Sequence, residues 1–116
     1  MAELFLALGI CAALGALAGL WSLAPTTLLL AGFWTTLAGL VLGIPTGTLY
    51  HVTLHRSLTA CARLPERWWV APTSLHGLLP QQDRKRVLGW CYAGAAGFLV
   101  TLLGCVLVAL ALWRGI

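Results

Sequence analysis

Charged side chains are scarce in this chain. Asp, Glu, Lys and Arg make up 9% of its 116 residues, and 60% of the residues are hydrophobic. Soluble domains carry roughly 25% charged residues, so this chain has too few to cover a surface that faces water. The mean hydropathy of +0.93 agrees. The composition excludes an ordinary water-soluble domain and indicates an integral membrane protein.

Segments of alternating hydrophobicity are also missing. A transmembrane barrel would need such segments of ~10 residues each. The apolar residues form instead three runs of about 20 residues or more, the length that a helix needs to cross a bilayer. We predict an all-α membrane protein of one domain, 1–116, with spans at 3–23, 27–50 and 88–113. A short turn at Pro25 predicts that the first two spans form an antiparallel hairpin, to which the third helix is added.

Acidic residues are the rarest charged groups, with only Glu3, Glu66 and Asp83. The interiors of the spans hold no Asp, Glu, Lys, Arg or His, which argues against a pump, a transporter or a charge-lined channel formed by this chain alone. No Ser-His-Asp set, phosphate-binding loop or carboxylate pair can be assembled, so an enzyme is not expected. The four cysteines form no CxxC pair, which argues against a disulfide framework. Glu3 stands where a secretory signal would have a basic residue, so we interpret the first span as a retained helix.

The basic residues are concentrated in one connection. Six of the seven lie between the second and third spans: Arg56, Arg63, Arg67, Arg84, Lys85 and Arg86. The positive-inside rule then places the inner loop, 56–87, and the N-terminus inside, and the C-terminus outside, in the cell's inner (plasma) membrane. The net charge of +4 marks this topology and suits anionic lipid headgroups. It does not indicate a nucleic-acid partner.

Small residues recur every fourth position in each span. Residues four apart lie on one helix face, and small side chains let helices approach closely in lipid. We predict helix-packing faces at Gly15, Gly19, Gly39, Gly43, Gly47, Gly89, Ala93, Gly97, Thr101 and Cys105.

The C-terminal end of the second span, called its lower end below, is the candidate site for binding a cofactor. Pro45 predicts a kink or hinge, and the helix is expected to extend to about residue 64. His51 and His55 follow on one face, where Tyr50 and His76 could join them. One imidazole suffices to ligate haem or chlorophyll, and His with Tyr could bind a quinone. The alternative is histidines bonded to headgroups, carbonyls or a partner. A metal site is not predicted, because no acid lies near.

Tryptophans mark the expected membrane boundaries. An Arg-Trp-Trp run just inside a membrane is typical of an interfacial anchor, although the same residues also suit a protein interface. Pro65, Pro72 and Pro80 exclude one long helix in the inner loop. The predicted anchors are Trp21, Arg67, Trp68, Trp69, Trp90 and Trp113.

These features favour a non-catalytic accessory subunit of a larger membrane complex. By analogy with respiratory and photosynthetic complexes, which often carry small peripheral subunits, the complex could be an energy-converting one. Docking would use the small-residue faces and the Arg-Trp-Trp anchor. The first alternative is a small membrane protein that contacts haem, chlorophyll or quinone through His51, His55 or His76. The second is a self-associating membrane scaffold.

Overall fold

The computed structural model describes residues 1–115, and within them the chain is helical without strands. Its long helices are α1, Ala2–Ser22, α2, Pro25–Ala60, and α3, Gln81–Trp113. A short 3-10 helix, Pro72–Leu78, lies between α2 and α3. The predicted all-α class is confirmed, and the three long helices are long and apolar enough to cross a bilayer.

Helix α1 stands almost free of the rest of the chain. It buries none of its residues, and its contact with the other helices is at its last turns, where Leu20 packs beside Leu28. Just beyond α1, Arg114 from the end of α3 donates a hydrogen bond to the Leu23 carbonyl. The predicted hairpin of the first two spans is therefore not confirmed as a packed pair.

Helix α2 runs for 36 residues and passes through Pro45 without a break. Pro25 is its first residue, a position where the missing N–H costs nothing. The contacts with α3 continue on both sides of Pro45, because Gly43 lies against Gly97 and Gly47 lies against Gly94. Pro45 thus does not interrupt the helix.

The end of α2 is a Schellman turn at Ala62. The Arg63 N–H donates to the Leu58 carbonyl at 3.0 Å, and the Ala62 N–H donates to Thr59 at 3.1 Å. These are the two hydrogen bonds of the Schellman motif, in which the residue just after the helix cap, here Ala62, adopts the left-handed conformation. Ala62 has φ of 54°. The turn stops the helix at Ala60, before the expected residue 64.

The packed pair in this fold is α2 with α3. The helices run antiparallel, from Ser57 beside Asp83 at one end to Leu28 beside Ala111 at the other. Their contact residues recur by alternating steps of three and four, which is a seven-residue repeat. That repeat keeps one seam facing the partner helix over many turns. The residues along it include Gly32, Thr36, Gly39, Gly43 and Thr46 on α2, and Gly94, Gly97, Thr101, Gly104 and Val108 on α3.

The connection between α2 and α3 folds back against the lower end of the helix pair. Leu75 and Leu79 from the connection pack with Leu54 and Leu58 of α2 and Val87 of α3 in a buried cluster. The Arg63 guanidinium donates to the Leu78 carbonyl at 3.2 Å. Burial of these leucines explains why the proline-rich segment is held in place instead of extending away.

Candidate functional site

A groove runs along the lower half of α2 and is the main concave feature beside the histidines. We call it the histidine groove; its volume is about 720 Å³. Its upper wall is helix surface at two glycines, and its lower end carries the ring and guanidinium groups. The lining residues are Gly43, Ile44, Gly47, Thr48, His51, Val52, His55, Arg56 and Trp68.

His51 has a fixed hydrogen-bonding arrangement in this groove. Its Nδ1 lies 2.8 Å from the Gly47 carbonyl oxygen one turn above. A carbonyl can only accept, so Nδ1 carries the hydrogen and donates it. In the neutral ring the lone pair is then on Nε2. The bond fixes the ring orientation in the same way as the outer hydrogen bond of a metal-ligating histidine does.

Trp68 forms the lower wall of the groove from the connection. Its ring centroid lies 5.1 Å from that of His55 and 6.1 Å from that of His51. Trp68 is half-buried, whereas the neighbouring Trp69 is 60% exposed. The two indoles of the predicted anchor therefore differ in environment: Trp68 packs against the imidazoles, and Trp69 presents its ring outward.

Tyr50 and His76 form a separate pair. The Tyr50 hydroxyl lies 2.6 Å from His76 Nε2, and Tyr50 is buried in the cluster that holds the connection. Neither residue lines the histidine groove. The four residues predicted to contact a cofactor are thus divided: His51 and His55 share the groove, while Tyr50 and His76 bond to each other inside the fold.

The charge at the lower end of the groove is positive. Arg56 lines it, and no acid does. Asp83, which lines a neighbouring pocket together with Arg56, accepts a hydrogen bond from Ser57 at 2.9 Å and lies 3.7 Å from the exposed Arg86 guanidinium. Within residues 1–115, no three His, Cys, Asp or Glu side chains gather as a metal site would require. The groove thus offers hydrogen-bond donors and one cation.

The predicted packing residues fall into three groups. Gly39, Gly43, Gly97 and Thr101 lie in the α2–α3 seam, and Gly47 touches it at Gly94. A methyl group added at Gly15, Gly19 or Gly89 would meet no atom within 4 Å. Ala93 is half-buried and Cys105 is exposed, on the edge of a second, apolar groove of about 400 Å³ between α2 and α3.

Sequence reasoning missed three glycines of the seam, Gly32, Gly94 and Gly104. Each is within van der Waals reach of the opposite helix. A search in steps of four places them off the predicted stripe, whereas steps of seven connect Gly32 with Gly39, and Gly97 with Gly104. The seven-residue period was the signal that would have found them.

The remaining predicted anchors lie at the two ends of the helices. The Arg114 guanidinium sits 5.2 Å from the ring centre of Trp21, within the range of a cation–π contact. Trp113 is 83% exposed, and Arg67 is also exposed. Trp90 is half-buried against the lower cluster.

No family model, curated protein or solved structure matches the chain.

Proposed function

We propose that this protein is a non-catalytic accessory subunit of a larger membrane complex, and that it docks on its partner through α1. The observation that carries the proposal is the contrast between the helices. The glycines of α2 and α3, with the exception of Gly89, lie against the opposite helix, whereas Gly15 and Gly19 of α1 face open space. The helix-packing surface that is left for a partner is therefore on α1.

The face proposed for docking runs along α1 at four-residue steps. It contains Ala7, Cys11, Gly15 and Gly19, all of them exposed. In lipid, apolar side chains gain little by leaving the hydrocarbon, so helices associate through close packing between small residues. A partner helix that approaches Gly15 and Gly19 would make backbone contacts that lipid chains cannot replace.

The proposed orientation follows the distribution of charge. The basic connection and the N-terminus lie inside, and the C-terminus, beyond Trp113, lies outside. A reporter domain that is active only in the outer compartment is expected to be active when fused after residue 116, and inactive when inserted in the connection at residue 70. The opposite pattern would reverse the orientation.

The docking proposal is tested by replacing the glycines of the α1 face with larger side chains. Gly15→Leu with Gly19→Leu should remove the partner from a tagged copy purified in mild detergent, because two isobutyl groups hold the helices apart. Gly9→Leu is the matched control, since Gly9 also faces open space but lies off the stripe. Both variants keep the helix apolar enough for insertion.

Unchanged co-purification in the double variant would contradict docking through this face. Cross-linked homo-oligomers that depend on Gly15 and Gly19, with no other chain bound, would identify a self-associating scaffold instead.

A further inference from the structure

The histidine groove has two chemically different halves. From Gly43 to His51 its wall is formed by two glycines, Ile44 and Thr48, whose hydroxyl donates to the Ile44 carbonyl. This stretch is about 12 Å long at 1.5 Å per residue. One leaflet of a bilayer provides roughly 15 Å of hydrocarbon, half of the ~30 Å core. The apolar half is therefore about as long as one leaflet is deep.

The lower half presents hydrogen-bond donors together with a positive charge. The Arg56 guanidinium has five N–H groups, the Trp68 indole has one, and a neutral His55 ring has one. No carboxylate lines this end. Guanidinium groups favour phosphate, with which they form paired, charge-assisted hydrogen bonds. The donor set matches an anion and offers little to a cation.

We propose that the histidine groove binds one glycerophospholipid with a net negative headgroup. Its phosphate contacts Arg56 and His55 beside Trp68, and one acyl chain lies along the wall formed by Gly43 and Gly47. The glycines leave the room that the chain fills. The inference rests on the membrane location proposed above, but it is independent of the docking face on α1.

Two other ligands suit the groove less well. A quinone is uncharged, so its carbonyls could accept hydrogen bonds from these donors but would leave the positive charge of Arg56 without a counter-charge. Trp68 lies beside both imidazoles, which narrows the space for a flat tetrapyrrole on His51. A phosphate with a flexible chain avoids both conflicts.

The first test fills the groove without disturbing the helix pair. A methyl group added at Gly47 meets no atom within 4 Å, so Gly47→Leu places its side chain in the open groove. Gly89→Leu is the matched control, because Gly89 also faces open space but does not line the groove. Native mass spectrometry of protein in dodecyl maltoside would count the lipid bound from added dioctanoyl phosphatidylglycerol.

The second test removes the charge. Arg56→Gln should weaken phosphatidylglycerol binding by about tenfold or more, the effect of losing a charge-assisted bond. Arg84→Gln is the control, since Arg84 is an exposed cation outside the groove. Circular dichroism of each variant reports whether its helices are intact. If Gly47→Leu does not fold, lipid binding by Arg56→Gln alone tests the proposal.

The expected result is one tightly bound phosphatidylglycerol, with dioctanoyl phosphatidylcholine bound at least about tenfold more weakly, and loss of binding in both groove variants. Equal binding of the two lipids, or full binding in the groove variants, would overturn the proposal.

Displacement of the lipid by millimolar inorganic phosphate would show that the groove binds an ion and not a lipid chain. A haem or chlorin absorption band, or an extracted quinone, that is lost in Gly47→Leu would assign the groove to that ligand instead. None of these outcomes depends on Gly15 or Gly19.

Discussion

Gly97 lies so close to the backbone of Gly43 that a methyl group on Gly97 would overlap it. The relationship is not symmetrical. A methyl group on Gly43 would come no nearer than 3.3 Å to Gly97, because the two Cα–H bonds point in different directions across the seam. The same contact is therefore far more sensitive to substitution from α3 than from α2.

Gly97→Ala is expected to destabilise the helix pair by about 1–3 kcal/mol, the usual cost of overpacking a close contact. Gly43→Ala is expected to change stability by less than about 1 kcal/mol, because its small overlap is offset by the higher helix propensity of alanine. Unfolding of the purified protein in mixed detergent and SDS micelles, followed by circular dichroism, would measure both.

Gly89→Ala serves as the reference for propensity alone, since its added methyl group would contact nothing. The prediction fails if Gly97→Ala and Gly89→Ala have the same stability.

The composition of the chain was enough to predict its class and its three long apolar helices. The choice of packing partner was not predictable in this way. The short link at Pro25 favoured α1 beside α2, but all three helices carry small residues at four-residue steps. What distinguishes α2 and α3 is the seven-residue recurrence of Gly32 with Gly39 and of Gly97 with Gly104, a period that a search in steps of four does not detect.

Thr36 and Thr101 are a matched pair of threonines in the seam. The Thr101 hydroxyl donates to the Gly97 carbonyl at 2.9 Å. The Thr36 Oγ1 atom is buried, and within residues 1–115 it has no hydrogen-bond partner. A buried hydroxyl without a partner is unfavourable by about 1–3 kcal/mol.

Thr36→Val keeps the shape of the side chain and removes that hydroxyl. We expect it to raise the stability of the helix pair, or to leave it unchanged, whereas Thr101→Val should lower stability by about 1 kcal/mol. The same detergent unfolding assay applies. Clear destabilisation by Thr36→Val would mean that the hydroxyl is bonded in the membrane, for instance to the Gly32 carbonyl one turn above.

The bond between Tyr50 and His76 joins α2 to the connection across 26 residues. Tyr50→Phe removes it and leaves His76 Nε2 without its partner, at an expected cost of about 1 kcal/mol. Because the connection is then less firmly held, trypsin should cleave faster at Arg63 and Arg67.

Tyr92→Phe is the control for this prediction, since Tyr92 is 70% exposed. A double-mutant cycle with His76→Ala isolates the pairwise term. A coupling energy near zero would show that the bond does not hold the connection.

The candidate site was predictable only in part. The spacing of His51 and His55 placed them on one face, and the structure brings both to the groove. The prediction grouped Tyr50 with them by its chemistry, although helix geometry already places it about 100° around the helix from His51. Spacing could not place Trp68 and His76, whose positions depend on how the proline-rich connection folds under α2.

Ala62 occupies a backbone conformation that alanine adopts at a cost. Its φ of 54° brings the Cβ atom close to backbone, a strain of roughly 1–2 kcal/mol that glycine avoids. Ala62→Gly should therefore stabilise the fold by about 0.5–1 kcal/mol, after the greater chain entropy of glycine in the unfolded state is deducted. Ala62→Val should destabilise it, since a branched side chain fits this region poorly.

Ala60→Gly, two residues earlier and inside α2, should lower stability by up to about 1 kcal/mol. The opposite signs of the two glycine substitutions are the decisive measurement, because they require that the helix ends between these alanines. If both substitutions destabilise to the same extent, α2 continues through Ala62 toward residue 64.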